Sequence, residues 1–218
     1  MNREPMDAFI AMPRTATRVA PSPLEPDLAR LPVQERLLAA SLRLFAQQGF
    51  EGTSVQEIVA AAGVTKGAMY HYFASKDELL YQIYHRLLGL QTQRLTTIAD
   101  GPGSAEQRVR AAAADVVEST LSSIDEAIVS FRSIHMLPLP QRVQVRAERR
   151  RYHERFRALV EEGQREGALR KDVPADVAVH FFFGSVNQLG TWYHRDGELT
   201  RDQIAEHYAE LFMTALRT

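Results

Sequence analysis

The 218-residue sequence contains no cysteine. Disulfides, thiolate metal sites and cysteine nucleophiles are therefore excluded, and the composition accords with a cytoplasmic protein. No run approaches the roughly 18 consecutive apolar residues that cross a bilayer, so no membrane span is expected, and no signal peptide is visible. Charge of one sign is not in excess either: 26 Lys and Arg face 27 Asp and Glu, a formal net charge of −1. Any nucleic-acid binding must then come from a local patch. Alternation of apolar and polar residues, the mark of a half-buried strand, does not persist over a useful length. The common enzyme motifs are missing as well. Gly101-Pro102-Gly103 has neither the third glycine nor the preceding strand of a phosphate-binding loop. There is no H-E-x-x-H and no G-x-S-x-G. His207 and Glu210 have a ligand-like helical spacing, but a lone pair is more often surface polarity. No enzymatic activity, cofactor or metal is expected.

What is present is a helical pattern. Hydrophobic residues make up 45% of the chain, enough for a substantial core. Six of the ten prolines fall within residues 1–32, and this segment lacks an apolar period. Residues 1–31 read as a disordered or loosely held arm, with Arg14 and Arg18 as its phosphate-capable side chains. After Pro32, Leu38, Leu42 and Phe45 form one apolar face, and Gly49 ends that helix. Thr53 with Gln56 reads as a capping box ahead of Val55, Ile58, Val59 and Ala62. Gly63 is a turn, followed by a short helix over about 65–73. Ser75 with Glu78 opens a long helix that ends at Gly101-Pro102-Gly103. Further helices are expected at about 104–122, 125–136, 141–167, 174–195 and 201–217. The fold class is all-α, with roughly nine helices.

The stretch from Ala61 to Leu79 divides by face. Val64, Ala68 and Tyr72 recur every four residues, with Met69 and Phe73 beside them, and form an apolar side. Thr65, Lys66, Gly67, Tyr70 and His71 form the other side. Two short helices joined at a glycine turn, the second presenting polar groups, make a helix-turn-helix, whose second helix enters the major groove of DNA. Thr65, Lys66 and Gly67 are then nearest the bases, and Tyr70, His71, Lys76 and Thr53 reach phosphates. From Arg30 to Lys76 five Lys or Arg face three Asp or Glu, a mild positive patch that favours two copies acting together.

The run from Thr53 to Leu79, TSVQEIVAAAGVTKGAMYHYFASKDEL, closely resembles the DNA-binding signature of the TetR (tetracycline-repressor-like) family. The match covers about Val33–Leu80. Its parts are the Thr after a Gly, the I-V-x-x-A-G-V turn, the x-G-x-x-Y-x-Y-F helix and the closing S-K-D-E-L. The resemblance implies a homodimeric transcriptional regulator, usually a repressor released from a palindromic operator by a small ligand. It divides the chain into the arm 1–31, a helix-turn-helix domain 32–78 and a ligand-binding and dimerisation domain 79–218. The family's last two helices form the dimer's four-helix bundle, which puts the homodimer contact within 174–217.

Asn187-Gln-Leu-Gly-Thr-Trp192-Tyr resembles the N-x-x-x-x-W-Y signature of a branch that includes acyl-CoA-responsive regulators of fatty-acid and steroid breakdown. That branch often has Trp where this chain has Gln188. Between Arg142 and Arg157 seven arginines face two glutamates, a composition suited to the phosphates of a coenzyme A thioester or to a solvated face of ion pairs. Candidate ligand residues are Phe131, His135, Met136, Arg146, Tyr152, Phe156, Phe183, Asn187 and Trp192. A free fatty acid, a hydrophobic drug of an efflux system and a signalling lactone are the alternative effectors. A small-molecule-binding helical protein whose DNA head is vestigial is the alternative function.

Overall fold

The computed structural model describes residues 30–217; the expected arm, with Arg14 and Arg18, lies almost wholly outside them. Ten α-helices and no strand occur among the described residues. They are α1 (Val33–Gln48), α2 (Val55–Ala62), α3 (Lys66–Tyr72), α4 (Lys76–Ala99), α5 (Ala105–Ser122), α6 (Ile124–Ser133), α7 (Leu139–Arg165), α8 (Ala175–Asn187), α9 (Leu189–Trp192) and α10 (Arg201–Leu216).

Local chemistry accounts for most boundaries. Ser104 with Gln107 and Thr200 with Gln203 form reciprocal capping boxes, and the Ser75 hydroxyl accepts from the Glu78 N–H. Three expectations shift. The cap of α2 is Ser54 with Glu57, one residue beyond Thr53 and Gln56. The helix expected at 125–136 is α-helical only to Ser133 and tightens to a 3₁₀ turn over Ile134–Met136. The helix expected at 174–195 breaks at Gln188, and α9 is a separate single turn.

The buried side chains fall into two clusters. The first joins Leu37, Leu38 and Phe45 of α1, Ile58 and Val59 of α2, Met69 of α3, and Leu79, Leu80, Ile83, Tyr84 and Leu88 of α4. Val129, Leu137 and Val145 from later in the chain complete it. The second joins the far end of α4, from Leu95, to α5, α7, α8 and α10. At its centre Phe156, Phe182, Phe183 and Phe212 pack ring on ring, with centroids 4.6–6.0 Å apart. Helix α4 is therefore shared: its first half belongs to one core and its last turns to the other.

Candidate functional site

Two places combine exposure with chemistry. The first is built on α3. Seven residues do not hold a helix alone, so its position depends on its neighbours. Met69 is fully buried and Phe73 is 2% exposed, and these two anchor it. Gly63 lies in the left-handed region (φ 62°, ψ 40°), where a glycine carries no side-chain penalty, and closes α2. Arg36 of α1 donates to the Gly63 carbonyl at 2.6 Å and fixes the turn. The Thr65 hydroxyl caps α3 by accepting from the Ala68 N–H at 3.1 Å. The outward face then carries Thr65, Lys66, Gly67, Tyr70 and His71, all exposed. The Lys66 ammonium stands 5.9 Å from the Tyr70 ring centre. A Cβ built on Gly67 meets only Thr65 Oγ1, at 3.9 Å. No neighbour among the described residues requires a glycine there.

The second place is a cavity of about 120 Å3, partly open to solvent and lined by residues of α4 to α9. Its apolar wall includes Leu87, Leu88, Val116, Ile128, Phe131 and Val186, with Tyr84, Tyr152 and Phe183 among the aromatic residues. The Tyr84 hydroxyl donates to the Ser130 carbonyl, which ties α4 to α6 across the wall. Ser130 Oγ is buried beside it with no hydrogen-bond partner among the described residues. A groove on α7 and α8 shares Arg149 and His153 with this cavity. Arg146, Arg149, Arg150 and Arg157 line the groove against two carboxylates, Glu154 and Asp176. Glu154 pairs with Arg150, and Asp176 lies near Arg157 and His180. Arg146 and Arg149 have no carboxylate partner among the described residues. His153 stacks on Phe183 with centroids 4.0 Å apart. Burial first, then the charges of Arg149 and His180, hold its pKa down at about 4. At neutral pH the imidazole is therefore uncharged, with one nitrogen to donate and one to accept.

Comparison with known proteins assigns both halves of the chain to one family. A model of tetR-family bacterial regulatory proteins matches residues 37–83, and a tetracyclin repressor-like C-terminal domain matches residues 102–216. The chain belongs to the TetR family. Among curated TetR-type relatives, the transcriptional repressor DhaR of Mycobacterium sp. (strain GP1) is 31% identical over 72% of this chain and 80% of its own length. The repressor KstR2 of Rhodococcus jostii is 24% identical over 91% of this chain and 98% of its own. Among solved structures, AibR in complex with isovaleryl coenzyme A and operator DNA superposes with a TM-score of 0.74 at 26% identity, over 83% of this chain and 97% of that one.

Within this TetR-family chain, several residues lie elsewhere than the sequence pattern predicts. Thr53 is 1% exposed; its hydroxyl donates to the Gly49 carbonyl at 2.7 Å and lies 3.4 Å from the Gln48 amide nitrogen, so it does not reach outward to phosphate. The Lys76 ammonium donates to the carbonyls of Phe50 and Thr53 at 2.7 and 2.8 Å and sits over the Phe50 ring. It closes the α1–α2 loop and is not free for DNA. Tyr72, the last residue of α3, is 47% exposed and lies edge-on to His71. Around the cavity, Phe131, Tyr152, Phe183 and Asn187 are brought together, and Arg146 lines the adjoining groove. Phe156 is fully buried in the aromatic core. Met136 packs on the first cluster, and His135 points outward from the 3₁₀ turn. Trp192 is 44% exposed and stacks on Tyr208. Sequence reasoning missed Tyr84, Thr120 and His153, and reached Arg149 only as part of the arginine-rich face it shares with Arg142 and Arg146. The density of arginines was the one signal pointing near His153.

Proposed function

We propose that the chain is a homodimeric, cytoplasmic repressor released from its operator by an amphiphilic effector, an acyl thioester of coenzyme A. One observation carries the effector class: an apolar cavity and an arginine-lined groove meet at Arg149 and His153. A ligand apolar at one end and multiply anionic at the other satisfies both. Guanidinium groups without a carboxylate partner are suited to phosphate. The same groups repel a cationic drug. In this reading residues 32–78 are the DNA-binding domain and 79–218 bind effector and partner. Thr65, Lys66, Gly67, Tyr70 and His71 face DNA, with Tyr72 added to that face. The dimer forms through the exposed apolar faces of α8 and α10, where Val177, Phe181 and Leu211 are 58%, 71% and 70% exposed. Two such heads address successive major grooves about 34–36 Å apart.

Fluorescence anisotropy on DNA from upstream of the protein's own coding sequence tests the proposal. Short-chain acyl-CoAs should release the DNA, while the matching free acids and a cationic dye should not. Arg149→Gln should raise the concentration of thioester needed by about tenfold, the effect of one charge-assisted contact of roughly 1.5 kcal/mol. Release by free acids at equal concentration would refute the polyanion reading.

A further inference from the structure

Taking the effector to be a coenzyme A thioester, as proposed above, we infer that its acyl group is compact, about four to six carbons or a single ring. The cavity holds about 120 Å3. An engineered apolar cavity of about 150 Å3 takes one benzene ring. On the α8 side the wall has little room to retreat. Behind Phe183 lie Phe156, Phe182 and Phe212, all within 3% of full burial. On the α8–α9 side, Val186 in the wall and Leu189 three residues on are 4% and 0% exposed. Enlarging the space means displacing this packed core.

One pair of residues sets the limit on the α6–α9 side. Ile128 and Gly190 both line the cavity. A Cβ built on Gly190 would fall 2.7 Å from Ile128 Cγ1 and 3.4 Å from Cδ1. The glycine thus lets α9 close onto Ile128, and the isoleucine fills the space left. Ile128→Ala opens the cavity by three carbons. Gly190→Ala pushes the isoleucine and narrows it. These two positions determine which acyl length is accepted, whereas Arg149 and His153 at the mouth meet the part that all thioesters share.

A chain-length series decides the matter. Acetyl-, butyryl-, hexanoyl-, decanoyl- and palmitoyl-CoA, with coenzyme A alone as baseline, are titrated against the full chain by calorimetry. Affinity should rise by about fourfold per methylene to an optimum at four to six carbons and then fall at least tenfold by decanoyl. Ile128→Ala should move the optimum to longer chains, and Gly190→Ala to shorter ones. Affinity that climbs steadily through palmitoyl, or variants that leave the optimum in place, would overturn the size limit and leave the thioester reading standing. Failure of every thioester to bind better than coenzyme A would overturn both. The parent series is informative even if a variant does not fold.

Discussion

Gly67→Ala separates what α3 does for the fold from what it does for DNA. The added methyl meets only Thr65 Oγ1 at 3.9 Å, ordinary contact, and no positive φ is needed at this position. Alanine exceeds glycine in helix propensity by about 1 kcal/mol in a helix interior and by less at the second residue, where Gly67 sits. The free protein should be unchanged or slightly stabilised, by up to about 2–4 °C in melting temperature. Against DNA the sign reverses. If a phosphate or base edge closes on this surface, one methyl in a filled interface costs about 1 kcal/mol or more. Both heads of a dimer carry the change, so operator affinity should fall by about thirtyfold. Differential scanning fluorimetry reads the first effect and anisotropy with labelled operator the second. A Gly67→Ala protein that melts no lower and binds operator as tightly as the parent would refute the assignment of this turn to the DNA surface.

Lys76→Met retains the aliphatic stem but removes the donor to two carbonyls, and should cost about 2 kcal/mol in a urea melt. If Lys76 served DNA instead, stability would hold and only the salt-dependent part of operator affinity would change. Phe181→Glu combined with Leu211→Glu should give a folded monomer by light scattering, and a persisting dimer would move the interface elsewhere. Acid should destabilise the protein through His153. Below its ordinary pKa of 6.5 the unfolded chain takes up a proton that the folded chain refuses until about pH 4, so stability falls across that window and levels off beneath it. His153→Phe should flatten this part of the pH–stability curve.

Capping chemistry was legible in the sequence because it is local. Ser104 finds Gln107 and Thr200 finds Gln203 three residues on, whatever the rest of the chain does. The misplaced cap at Thr53 has a tertiary cause. Two adjacent hydroxyls each have a suitable residue three positions later, and contacts with Gly49 and Gln48 of the preceding segment draw Thr53 inward. Helical periodicity placed Met69 and Phe73 correctly but not Tyr72, since a period tells which side a residue is on and not whether anything covers it. The cavity was the least legible feature. Six helices each contribute a few side chains, and Tyr84 and Phe156 occupy similar apolar stripes. One became wall and the other core through packing with segments distant in sequence, Tyr84 against Ser130 and Phe156 against Phe182, Phe183 and Phe212.

The division of α4 between two cores has a calorimetric consequence. The cavity lies at that seam, with Tyr84 and Leu88 from one cluster facing Val116, Tyr152 and Phe183 from the other. Unfilled space at a seam removes contacts that would make the two parts unfold together. A molecule lodged there adds contacts to both at once. Bound protein should melt in a single transition whose van't Hoff and calorimetric enthalpies agree, while the empty protein should melt over a broader range. A ligand held at this seam would then be a part of the molecule's own cohesion, and heat-capacity traces would detect its presence without any DNA in the cell.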